Sequence, residues 1–170
     1  SQLSLTTSRG RGFLGLNKEM QDIQIRELEE SDKEQFHDII REFFEYANNE
    51  QLSSSLIDKL FQKALAKETN YHIYCAADNN QLLGIISITY GESSYKVSPF
   101  AWCDDLFIKK EARRKGIGKL LIQKICEVAK KAGCSNILIG VGKDEQSAIS
   151  FYETNGFRDM NCRLYSRKIN

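Results

Sequence analysis

Few features that would place this chain at sight are present in its 170 residues. Its five cysteines, Cys75, Cys103, Cys126, Cys134 and Cys162, include no pair at metal-ligand spacing. The two histidines, His37 and His72, stand near no cysteine pair in a recognised pattern, so no metal site is expected. An odd number of unpaired thiols reads as buried or reduced cysteine in a cytoplasmic protein. No apolar run reaches the ~20 residues of a membrane span, and no secretory leader is visible. The formal net charge is +1, too weak a field to recruit nucleic acid or a membrane surface. There is no internal repeat and no interdomain linker. Two common phosphate-binding signatures are missing too. The P-loop spacing G-x-x-x-x-G-K-[ST] is absent, and G-x-G-x-x-G fails because its last position is Leu121.

What is there centres on Arg113-Arg114-Lys115-Gly116-Ile117-Gly118. The stretch Asp105-Leu106-Phe107-Ile108 before it reads as a buried strand, and an amphipathic helix follows. The first N–H groups of a helix lack internal partners, and the helix dipole adds positive potential there. Gly116 and Gly118 let an anion approach the main chain, and Arg113, Arg114, Lys115 and Lys119 surround it with charge. The stretch reads as a cradle for a pyrophosphate.

Taken in order, residues 1–19 are a polar tail without period, and Met20 is read as the natural start of a single domain spanning 20–170. Ile23–Leu28 alternates as a half-buried strand. Ser31 and Glu34 suggest a capping box for a helix carrying Phe36, Ile39, Ile40, Phe43, Phe44 and Ala47, ended by Asn48 and Asn49. Ser53–Ser55 can cap a second helix with the apolar face Leu56, Leu60, Phe61, Ala64 and Leu65. Tyr71–Ala77 and Leu82–Tyr90 form a hairpin about Asp78-Asn79-Asn80. Gly91–Pro99 reads as a polar loop holding the only proline, and Phe100–Ile108 as the next strand. The helix from Gly116 to Ala132 buries Ile117, Leu120, Leu121, Ile125, Val128 and Ala132 and stops at Gly133. Ile137–Val141 reads as a fully buried strand parallel to Phe100–Ile108 through a βαβ unit. A helix over Asp144–Asn155 and a weakly alternating strand over Cys162–Lys168 complete the chain.

The motif R-x-x-G-x-G at Arg113–Gly118 resembles the acetyl-CoA signature of the GCN5-related N-acetyltransferase (GNAT) family. The segment Ala148-Ile149-Ser150-Phe151-Tyr152-Glu153-Thr154-Asn155-Gly156-Phe157 is similar to that family's A-I-x-F-Y-x-x-x-G-F. Asp104–Ile108 followed by Glu111-Ala112-Arg113 resembles its strand entering the cofactor turn. Lys110 stands where many members have proline, and Glu145 where many have a helix-capping asparagine. The resemblance implies an α/β fold with a splayed, mostly antiparallel mixed sheet, a central parallel βαβ pair and about four helices. It implies acetyl-CoA as co-substrate, with pantetheine along Leu106, Phe107 and Ile108, diphosphate at Arg113, Arg114, Lys115, Gly116, Ile117, Gly118 and Lys119, and Glu145 as a further contact.

Acetyl transfer to an amine requires a base, because an alkyl ammonium near pKa ~10.4 is not nucleophilic at neutral pH. Asp104, in an otherwise apolar strand, is the preferred base, its burial expected to raise its pKa. Asp105 is the alternative, since successive strand residues point oppositely unless a bulge intervenes, and a water chain is a third. Tyr152, by resemblance, lies near the sulfur. A phenol near ~10 is a weaker acid than a thiol near ~8.5, so hydrogen-bond support of the leaving thiolate demands less than proton transfer. The main-chain N–H of Ile108 or a neighbour is the oxyanion donor. The expected acceptor is a small cationic amine, polyamine-like or aminoglycoside-like. A peptide or lysine acetyltransferase, or a noncatalytic acyl-CoA sensor, are the other readings. A homodimer is compatible with the chain.

Overall fold

Five strands in the order β1-β2-β3-β4-β5 make one sheet with helices on both faces. This is a computed structural model, and it describes residues 22–47, 52–66, 69–79 and 81–169. The N-terminal tail and the Asn48–Asn49 stop lie outside the described residues. The elements are β1 (Ile23–Glu27), α1 (Lys33–Ala47), α2 (Ser54–Leu65), β2 (Tyr71–Asp78), β3 (Gln81–Ser93), β4 (Ser98–Ile108), α3 (Ile117–Lys131), β5 (Ile137–Ile139) and α4 (Gln146–Thr154). Neighbouring strands are antiparallel except β4 and β5, which run parallel across the α3 crossover.

Alternation along the central strands divides the core into two layers. Ile73, Cys75, Ala77 and Ile85 meet Phe36, Ile39, Ile40, Ile57 and Phe61 of α1 and α2. Tyr74, Ala76, Ile86 and Ile88 meet Ile117, Leu121, Ile122 and Ile125 of α3. Each fully buried Ile or Phe in these layers contributes about 2 kcal/mol of hydrophobic free energy. Asp58 ties α1 to α2, accepting from Lys33 Nζ at 2.9 Å and lying 3.0 Å from His37 Nε2. Among the described residues no helix is long and apolar enough to cross a membrane.

Several expectations shift. Ser31 is not a helix cap: it lies in a 3-10 turn, Glu30–Asp32, where Asp32 accepts the Glu29 N–H at 2.8 Å. That buried carboxylate wins the role because Arg26 fixes it in place. α2 faces the sheet with Ile57 and Phe61, leaving Leu56 half in solvent. Residues 91–93 and 98–100 are strand, so the expected loop shrinks to a hairpin tip over 94–97. The buried stripe of α3 takes in Ile122 and Ala129, while Ala132 is exposed where the helix ends. Gly133 holds the positive φ of 75° that its C′ position requires. β5 is a short, half-exposed edge rather than a buried strand. Residues 162–168 form no strand. Their apolar residues are interleaved with Arg163, Ser166, Arg167 and Lys168, and three-residue β5 offers them little ladder; Leu164 lies against Gly140.

Candidate active site

The register of β3 and β4 steps from Ser87↔Asp105 to Ile88↔Cys103, leaving Asp104 as an extra residue in a β-bulge. The bulge overrides simple alternation and brings both carboxylates to the face that carries Ser87 and Thr89. Thr89 Oγ1 donates to Asp104 Oδ2 at 2.7 Å. Ser87 Oγ accepts the Asp105 N–H at 3.1 Å and donates to Asp105 Oδ2 at 3.3 Å. Among the described residues neither aspartate forms an ion pair. Burial pushes the Asp105 carboxyl above its usual range, the charge of Asp104 adds to the rise, and the Ser87 bond opposes it. Asp104, expected to be the buried one, is exposed. The bulge separates the two: Asp105 keeps the ladder place opposite Ser87, while Asp104 is the inserted residue and bonds Thr89. Burial also lifts the nearby Tyr71 hydroxyl to about 12, against a hydrogen bond with Ser87.

Beside the aspartates the sheet opens. β5 pairs only with Ala101, Trp102 and Cys103, so β4 continues through Leu106, Phe107 and Ile108 with no strand on that side. Beyond Ile108 come a 3-10 turn at Lys110–Ala112, Arg114 at φ 61° and Gly116 at φ 81°. α3 then begins, and its first bond runs from the Leu120 N–H to the Gly116 carbonyl at 3.2 Å. The N–H groups of Ile117, Gly118 and Lys119 are therefore left over at its start. Arg114, Lys115 and Lys119 are exposed around them, while Ile117 is buried beneath.

Three residues of the cradle have other engagements. Arg113 Nε donates to the Ile108 carbonyl at 2.9 Å, and its guanidinium stacks over Tyr46 and Phe107. A Cβ on Gly118 would stand 3.0 Å from Phe151 Cζ, so this glycine admits α4 against α3. Glu145 sits at the N-cap of α4 but its side chain makes no capping bond; it folds against Gly142. The remaining features, an open strand edge for amides and unsatisfied helix N–H groups for a diphosphate, fit acetyl-CoA.

Tyr152 is half-buried between Phe151 and Phe157, with ring centroids 5.3 and 5.5 Å away. Burial pushes its hydroxyl well above the usual tyrosine value, and Cys103, Glu145 and Asp105 push it further. Its hydroxyl has no hydrogen-bond partner among the described residues. Sequence reading passed over Ser87, Thr89 and Tyr71; two hydroxyls spaced by two in the apolar run Ile85–Thr89 were the available signal.

Comparison with known proteins agrees with this geometry. Residues 26–157 match the model of the acetyltransferase (GNAT) family. The thialysine N-epsilon-acetyltransferase of Sus scrofa is 29% identical over 153 residues, covering 83% of this chain and 87% of that protein. A possible acetyltransferase from Clostridium difficile 630 has the same fold, with TM-score 0.77 and 21% identity over 87% of this chain and 98% of that one. So does an aminoglycoside acetyltransferase from an uncultured soil metagenomic sample, in complex with sisomicin, with TM-score 0.73 and 21% identity over 89% of this chain and 99% of that one. A family match across most of the sheet, together with the opening beside β4 and the helix start that closes it, leaves one assignment: this chain belongs to the GNAT acetyltransferases, enzymes that take their acetyl group from acetyl-CoA.

Proposed function

We propose that the chain acetylates a primary amine on a small cationic molecule by direct attack within a ternary complex. The β4 bulge is the observation that supports this reading. It presents two carboxylates with no basic partner among the described residues, at the level where β4 and β5 part. A cation arriving there supplies the missing counter-charge. The relative that acts on thialysine also acylates an ε-amine.

Bound acetyl-CoA supplies the thioester. Asp105 accepts the amine's proton, since its raised pKa makes it a better base than an ordinary carboxylate. Asp104, exposed and held by Thr89, orients the cation. A main-chain N–H at or near Ile108 would stabilise the thioester oxygen as it gains charge. Tyr152 donates a hydrogen bond to the sulfur and keeps its proton, because its environment makes it a still weaker acid. Cys103 is no nucleophile: burial raises its thiol to about 12, leaving it protonated.

Thiol release from acetyl-CoA across polyamines, thialysine, lysine, aminoglycosides and peptides tests the acceptor. Small cations should be turned over well ahead of peptides. Preference for a peptide would sink the acceptor class, and binding of acetyl-CoA without turnover of any amine would indicate a sensor. Asp105→Asn should lower kcat by about 10²–10³, with the KM for acetyl-CoA unchanged, whereas Asp104→Asn should act mainly on the KM for the amine. The opposite split would exchange the two roles.

A further inference from the structure

The turn that receives the diphosphate is held by more than its own backbone bonds, Ala112 N–H to the Lys109 carbonyl at 2.9 Å and Arg113 N–H to the Lys110 carbonyl at 3.4 Å. Arg114 has φ 61°, a left-handed conformation disfavoured for any residue with a Cβ. Such a conformation persists only where the surroundings over-determine it. Beyond the adjoining end of β4, further support here comes from α1, far away in sequence. Glu42 Oε1 accepts the Lys110 N–H at 3.2 Å across 68 positions. Tyr46 places its ring 4.8 Å from the Arg113 guanidinium carbon, with Phe107 5.5 Å away from the same group. Phe43, between them in sequence, packs its ring 5.4 Å from Phe107. Glu42, Phe43 and Tyr46 are spaced i, i+1, i+4, so they share one edge of the helix.

Core formation does not explain Tyr46, which is 72% exposed. Its ring meets the one basic residue of the turn whose Nε is already bonded to the Ile108 carbonyl. We infer that the last two turns of α1 brace the diphosphate turn, with Tyr46 and Glu42 as positioning residues for acetyl-CoA. Tyr46 and the Ile108 carbonyl fix Arg113, Glu42 fixes the main chain at Lys110, and Arg114 is thereby kept in its strained conformation with the helix N–H groups aimed outward. α1 also packs on the sheet face that carries Asp105, so the brace joins the wall of the amine site to the wall of the cofactor site.

This inference rests on the assignment of Arg113–Lys119 to the diphosphate. The test pairs each removal with a conservative rescue and each thioester with a truncated one. Tyr46→Ala should raise the KM for acetyl-CoA by about fivefold, with kcat at saturation and the melting temperature unchanged. Tyr46→Phe keeps the ring and should restore the KM. Glu42→Ala should act in the same direction, and Glu42→Gln, which keeps an acceptor oxygen, should restore it. On acetyl-pantetheine, which lacks the diphosphate, Tyr46→Ala and the wild type should be equal. An unchanged KM for acetyl-CoA in both alanine variants, or an equal loss on acetyl-pantetheine, overturns the brace alone. Calorimetry on the wild type separates the underlying assignment: no preference for coenzyme A over pantetheine would overturn the diphosphate site and the brace with it.

Discussion

Asp32 and Asp105 are both withdrawn from solvent, and the molecule treats them in opposite ways. At Asp32, burial pushes the carboxyl up, but Arg26 and the Glu29 N–H outweigh it and hold the group below its ordinary value. Arg26 contributes two bonds, Nη1 to Oδ2 at 2.6 Å and Nη2 to Oδ1 at 2.9 Å. At Asp105 burial again pushes upward, and the neighbouring Asp104 adds to it instead of relieving it. The first carboxylate has its counter-ion built in and anchors β1 to the entry of α1. The second is held by the Ser87 hydroxyl and has no counter-ion among the described residues. A cell of the same chemistry becomes architecture or site according to whether the fold or the substrate completes it.

Opposite pKa displacements give opposite pH dependences. Asp32 lies below 3.8 when folded, so its stabilisation is present above that pH and disappears as pH falls through the folded value. Asp105 lies above 3.8 when folded, so the fold favours its neutral form. Its contribution is complete below 3.8 and is lost as pH rises through the folded value.

The sharpest way to break the contrast is Asp32→Ala. It leaves Arg26 partly buried without its partner and should cost about 3 kcal/mol, read as a fall in the denaturant midpoint at neutral pH, with kcat of the folded fraction unaffected. A loss of activity without loss of stability would move Asp32 into the site. Tyr152→Phe comes next. Removing its hydroxyl should reduce kcat about tenfold, or ~1.4 kcal/mol in the barrier, with little change in either KM; an unaltered kcat would leave the ring as packing only. The smallest effect is also the most diagnostic. Asp105→Asn should raise the melting temperature slightly at pH 7, and the gain should vanish on approach to pH 4. A lower melting temperature at pH 7 would mean that Asp105 already has a cationic partner.

Much of this was legible because the relevant signals are local. The glycines at 116 and 118, the apolar strand before them and the basic residues around them announce a turn from strand to helix, and that turn is present. The parallel β4–β5 pair followed from the crossover between them. Which aspartate is buried was not legible, because one inserted residue in the register decides it and register is a property of two strands. The same limit hid the second duty of Gly118, whose missing side chain is demanded by Phe151 on another helix. Nor could Tyr46 be seen as a partner of Arg113, since nothing in the helical period of α1 distinguishes a residue facing a distant turn from one facing water. The final strand failed for a different reason: its alternation was weak, and the edge it needed is three residues long.

The half of β4 that runs on alone has a consequence outside catalysis. An extended segment with unpaired main-chain groups is where a foreign strand adds, although here Arg113 already takes the Ile108 carbonyl. Lys109 and Lys110 stand at its end, the kind of charge that discourages such stacking. A pantetheine arm lying there, as proposed, would occupy the lane a stray chain would use. On the placement proposed above, bound coenzyme A would therefore also shield this edge from other chains.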